Sequence, residues 1–188
     1  MEKQVRGSSL LGVVIYIQTG LDSATRQRVL EKLPAGHVDE KRFASTTLYP
    51  IEESNILSRA IASSFDNPDE RYQAFIQCGR TIATDAINSF LRLLIKFLKP
   101  HLLARKYNDF FRRVHTFGKF EVKSLTPNGF VVELSDVAGY DYVAPMSIGF
   151  ISHMLDAMGC RNLVVKEVNV PPASPQDTGP YRFEVVWS

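Results

Sequence analysis

The stretch FFRRVHTFGKFEVKSLTPNGFVVEL, Phe110–Leu134, decides how the chain is read. Upstream of it apolar residues recur with a helical period, and downstream they alternate. Inside it, Thr126-Pro127-Asn128-Gly129 reverses the chain between two runs of partly alternating character. Phe117, Lys119 and Glu121 alternate with Gly118, Phe120 and Val122 before the turn, and Phe130-Val131-Val132-Glu133-Leu134 follows it. Residues 117–136 are therefore expected to form a β-hairpin with a four-residue turn built on Pro127 and Gly129.

Working downstream, Pro145 opens a helix whose stripe is Ile148, Ile151, Met154, Leu155 and Met158, and Gly159 stops it. Residues 163–168 and 181–187 read as strands, with a Pro-, Ser- and Gly-rich surface loop at 170–180 between them. Upstream, the short helix after Pro100 carries Leu102, Leu103, Tyr107, Phe110 and Phe111. Before it, a helical pattern runs from Glu70 to about Leu98, in which Gly79 marks a bend or a close helix approach. Asp66-Asn67-Pro68-Asp69 separates that pattern from a helix opened by Pro50, with Glu52 and Glu53 favourably placed on its dipole. Asp22 caps a helix from Ser23 to Leu33. Residues 8–19 could be helix or buried strand, since a serine cap competes with the β-branched Val13-Val14-Ile15-Tyr16-Ile17, and helix is favoured. The expected fold class is α+β: an N-terminal helical half (1–113) packed on a four-stranded antiparallel sheet of ββαββ order (114–188), sharing one core in a single domain, 1–188.

Composition narrows the function classes. A chain of 188 residues, 45% hydrophobic and 22% charged, is ordinary for a globular protein. A formal net charge of +2 offers no global electrostatic case for nucleic acid or membrane. The apolar run Leu10–Ile17 is too short to span a bilayer and lacks a cleavage site after it. Cys78 and Cys160 stand far apart without a CxxC, which excludes a disulfide framework and points to a reducing, cytoplasmic setting.

Laid out in order, several short motifs carry a family resemblance. They are Arg6-Gly7-Ser8, Leu48-Tyr49-Pro50-Ile51-Glu52-Glu53, Cys78-Gly79-Arg80, Thr116-Phe117-Gly118-Lys119-Phe120-Glu121-Val122, Ile148-Gly149-Phe150 and Phe183-Glu184-Val185-Val186-Trp187. The chain resembles a paralogous family described from myxobacteria, related to the 4-vinyl reductase-type domain and, through it, to the haem–nitric-oxide-binding domain and the trafficking-complex Bet3-like fold. The resemblance implies a helical bundle on a four-stranded antiparallel sheet, with a pocket between them for a small apolar or planar ligand. It also implies a sensory module, often dimeric, and no enzyme.

The residues are then tested against that implication. Some relatives hold zinc near their last two strands, but Val168–Phe183 contains no cysteine here, and Cys160 with His153 does not make a tetrahedral set. No metal is expected. A haem needs an axial ligand, usually histidine, in an apolar pocket. His37, His101, His115 and His153 all read as surface or capping residues, and no Tyr-x-Ser-x-Arg stretch occurs, so no cofactor is expected. No GxSxG elbow, GxxxxGK[ST] loop or GxGxxG turn is present, so no catalytic residue is assigned. Two features remain. Core-like aromatic and methionine residues, Phe120, Phe130, Phe150 and Met154 among them, could line a ligand pocket. From Arg92 to Lys123 there are nine basic and two acidic residues, a basic face that includes Arg105, Lys106, Arg112 and Arg113. That face is either a solvated surface or a dock for an acidic protein partner; the nearby aromatics fit the core too well to stack nucleic acid.

Overall fold

The computed structural model describes residues 2–88, Ile95, 99–168 and 180–188. In chain order these form β1 (Gln4–Arg6), α1 (Gly7–Ile15) continuing into a π-helical turn (Tyr16–Gly20), α2 (Ser23–Lys32), a 3-10 turn (Glu40–Arg42), β2 (Leu48–Pro50), α3 (Ile51–Ala62), α4 (Pro68–Asn88), α5 (Pro100–Val114), β3 (Lys119–Thr126), β4 (Gly129–Ser135), α6 (Val143–Ala157), β5 (Val164–Glu167) and β6 (Tyr181–Val186). The class is α+β, and the second half has the expected ββαββ order. The segment 170–179 expected as a loop, and most of the helical pattern beyond Asn88, lie outside the described residues.

Local chemistry accounts for the boundaries. The Asp22 carboxylate accepts from the N–H groups of Ala24 and Thr25 at 3.0 and 2.9 Å, satisfying the first turn of α2. In the hairpin, Thr126 pairs with Gly129, and its hydroxyl donates to the Gly129 carbonyl at 3.1 Å, closing the turn. The sheet order is β3-β4-β6-β5, antiparallel throughout. Its inner face buries Phe120, Phe130, Val132, Leu134, Phe183 and Val185. Its outer face carries a charge ladder in which Glu121 pairs with Lys119 and Lys123, and Glu133 with Lys123 and Arg182.

Gly79 does not bend α4, which runs unbroken from Pro68 to Asn88. The glycine is needed for approach instead. A Cβ at Gly79 would sit 2.0 Å from the Met146 carbonyl oxygen of α6, and one at Gly149 would sit 1.9 Å from the Ile76 oxygen of α4. The two helices cross backbone to backbone through reciprocal glycines. α6 begins at Val143, ahead of Pro145, and is capped by Tyr142 in the left-handed conformation (φ 58°) with its ring stacked 4.0 Å from Phe75. The loop before it is clasped to α3: Asn55 donates to the Gly139 carbonyl at 2.8 Å and accepts from the Asp141 N–H at 3.1 Å, while Arg59 pairs with the buried Asp141 at 2.7 Å.

A second sheet, absent from the sequence reading, joins the halves. β1 pairs with β2, and Val5 also bridges to His115. The Thr116 N–H donates to the Gln4 carbonyl at 3.0 Å. The N-terminus thus lies across the point where α5 becomes β3, and buried side chains of both halves form one contiguous cluster.

Candidate functional site

α1, α4, α5 and α6 do not close completely on one another. A cavity of about 90 Å³ remains where they meet. Its apolar wall comes from Ile82 of α4, Phe110, Phe111 and Val114 of α5, and Met146 and Phe150 of α6. Its polar groups are Ser8 and Ser9 in the first turn of α1, Asp85 of α4, Tyr107 of α5, Ser147 of α6, and the pair His115 and Tyr140.

His115 is the best-defined of these. Its ring stacks on Phe111 with centroids 4.0 Å apart. Nδ1 lies 3.1 Å from the Phe111 carbonyl oxygen, which can only accept, so Nδ1 carries the proton. The remaining lone pair, on Nε2, faces the Tyr140 hydroxyl at 3.4 Å. Burial pushes the imidazole down to about 4, only partly opposed by the bond to Phe111, so it is neutral at physiological pH. Burial likewise pushes the Tyr140 phenol up to about 12, against the hydroxyls of Ser54 and Ser9 beside it. Tyr107 is raised too, by burial alone. Desolvation also raises the Asp85 carboxyl above its usual range.

The sequence candidates fall in different places. Phe150 lines the cavity. Phe120 packs behind it, against Tyr107 and Phe111 at ring-centroid distances of 4.5 and 5.1 Å. Phe130 packs on Trp187 at 5.8 Å, and Met154 is buried on α6. Arg105, Lys106, Arg112 and Arg113 are all exposed on α5. Lys106 pairs with Asp109 at 3.2 Å, and Arg113 lies over the Phe110 ring at 5.9 Å. Arg92 and Lys96 are outside the described residues.

His115 and His37 correct the sequence reading, which put every histidine at the surface or in a cap: both are buried. His115 is covered because β1 lies over it, a pairing across more than a hundred residues that no local pattern announces. The cavity serines and Tyr107 were likewise missed. The available signal was the pair Gly79 and Gly149, which brings α4 and α6 together beside them. Among the described residues, no group of three or more His, Cys, Asp or Glu side chains is placed to hold a metal ion.

No protein-family model and no curated protein matches the sequence. Solved structures do match in fold. An H-NOX protein from K. algicida in the Fe(II) unliganded state is 9% identical with a TM-score of 0.70, over 97% of this chain and 96% of that one. One from S. oneidensis in the Fe(II)NO state is 11% identical with a TM-score of 0.67, over 97% and 99%. A third, from Shewanella woodyi with IWP-051 bound in the Fe(II)CO state, is 13% identical with a TM-score of 0.64, over 97% and 94%. The chain therefore shares the H-NOX fold, the haem–nitric-oxide-binding member of the resemblance.

A haem does not fit the residues present. The cavity is smaller than the roughly 150 Å³ that takes a single benzene ring, and a tetrapyrrole is several times larger than benzene. Of the four histidines only His115 lines it, with one ring nitrogen protonated and the other facing Tyr140. His153 is held instead by Thr84, 3.0 Å away, and His37 lies 3.5 Å from Glu53.

Proposed function

We propose that the chain is a non-catalytic sensory module, acting as one domain, whose cavity between α1, α4, α5 and α6 binds a small, largely apolar molecule other than haem. The cavity carries this reading. It is a partly open pocket let into the core, and its wall is mainly aliphatic and aromatic. The shared fold supports the sensory part, since the H-NOX neighbours are described in ligand states of their Fe(II) centre. Two buried free cysteines fit a cytoplasmic setting. No helix among the described residues is long and apolar enough to cross a membrane.

Two measurements test the reading. Xenon, a small apolar probe, should give saturable shifts of amide signals around Phe150 and Val114, and added hemin should give no stoichiometric complex. Absence of any saturable site, or a histidine-ligated haem complex, overturns it.

A second reading is favoured by the outer face of α5. Arg105, Arg112 and Arg113 have no carboxylate partner among the described residues, while the helix's inner face walls the cavity. That face would dock an acidic protein surface. Arg112→Glu with Arg113→Glu should then abolish partner capture and leave the fold intact; unchanged capture refutes it.

A further inference from the structure

The polar groups of the cavity are not placed like those of a purely apolar site. Tyr107 and Ser147 are each 7% exposed, and neither hydroxyl finds a hydrogen-bond partner among the described residues. Neither oxygen is fully enclosed, so each opens onto accessible space where a guest can pair with it. Both side chains line the cavity. The Tyr107 ring is 5.9 Å from the Phe150 ring, and Ser147 is one turn before Phe150 on the same helix. Ile82, Val114 and Met146 supply hydrocarbon wall beside them, and Asp85 and the His115–Tyr140 pair line the same space. A void of about 90 Å³ is short of what a six-membered ring takes.

Resting on the cavity reading above, we propose that the ligand is a neutral short-chain oxygenated molecule, an alcohol or ketone of about three to five carbons, whose oxygen sits between the hydroxyls of Tyr107 and Ser147 and whose carbon chain lies on Ile82, Val114 and Met146. Either hydroxyl can donate or accept, so an alcohol or a carbonyl oxygen satisfies both at once. An anionic headgroup is disfavoured, because the Asp85 carboxyl lines the same cavity and the adjacent imidazole is neutral.

The test titrates the full chain with 1-propanol, acetone and 1-chloropropane, following amide signals by two-dimensional NMR. Chloropropane has the same shape as propanol and is the more hydrophobic, so an apolar cavity prefers it. The proposal expects propanol and acetone to bind at least as tightly as chloropropane. It also expects Tyr107→Phe combined with Ser147→Ala to weaken both oxygenated probes about tenfold while leaving chloropropane unchanged or tighter. Chloropropane binding more tightly than propanol to the natural protein, or equal losses for all three probes in the variant, overturns the proposal and leaves the cavity reading standing. Failure of all three probes to saturate the natural protein removes the cavity reading itself. Tyr107→Phe alone keeps the ring packing on Phe120 and reads out the same preference should the double variant not fold.

Discussion

Replacing Gly149 with alanine tests the helix crossing on which the cavity depends. In an ordinary helix interior the change would be favourable, because glycine is about 1 kcal/mol worse than alanine there. Here the new methyl carbon would lie 1.9 Å from the Ile76 carbonyl oxygen, 2.8 Å from its carbonyl carbon and 3.1 Å from the Arg80 nitrogen. All three are backbone atoms of α4, so no side chain can swing away. Relief requires α4 and α6 to separate by more than an ångström, which loosens the Phe75–Tyr142 stack and the seating of Met146. Overpacking of this kind reaches about 3 kcal/mol. Subtracting the propensity gain leaves a net loss of about 2 kcal/mol, or a fall in Tm of roughly 4–8 °C for a domain of this size. Thermal unfolding followed by circular dichroism measures it. Gly79→Ala should behave alike, since its methyl would meet the Met146 oxygen at 2.0 Å. The double variant should lose less than the sum, because one separation serves both methyls. An unchanged or raised Tm for either single variant, or strict additivity, would refute the crossing.

Three further outcomes follow from the same contacts. His115 is held near a pKa of 4 in the fold against about 6.5 unfolded, so the unfolded chain takes up the proton first. Its contribution is complete above pH 6.5 and is lost as pH falls towards 4, up to about 3 kcal/mol in all; urea midpoints against pH should show this limb, and His115→Gln should flatten it. Arg59→Leu should cost about 1–3 kcal/mol by leaving the buried Asp141 carboxylate unpaired. That cost should vanish in acid, where Asp141 is protonated, whereas a pH-independent loss would point to packing. Glu133→Gln, which removes the acid bridging Lys123 and Arg182 at 3.0 and 3.1 Å, should cost about 1 kcal/mol or less, and less still in high salt.

How much of this was legible beforehand depends on whether the pattern is local. Phe120, Phe130 and Phe183 announce their strands because alternate residues face the same side of a sheet, and the turn at Pro127 and Gly129 sets their register. The stripe on α6 is equally local. β1 and β2 are three residues each, too short for any period, and exist because Val5 finds Tyr49 and His115 across the chain. That pairing buries His115, so the histidine's role could not be read from its polar neighbours Arg113 and Thr116. Gly79 was legible as a close approach but not as an unbroken helix, since only its partner Gly149 on α6 distinguishes a crossing from a kink.

The cavity is illegible for a related reason, and that reason bears on what fills it. Its wall draws on four helices and on the loop before α6, so no stretch of sequence contains it. The H-NOX fold sets where those helices meet, but it does not choose the side chains that meet there. In this chain those side chains close the space down: Phe111 lies flat against His115, Tyr140 faces the imidazole's lone pair, and Phe150 fills in beside Tyr107. Opening the site to a macrocycle would mean separating the Phe111–His115 stack and stripping the Nε2 lone pair of its phenol. It would also mean displacing β1, whose Val5 is bridged to His115. A molecule of a few heavy atoms needs none of these changes. The guest proposed above therefore asks for no rearrangement of these contacts, with His115 acting as a neutral part of the wall.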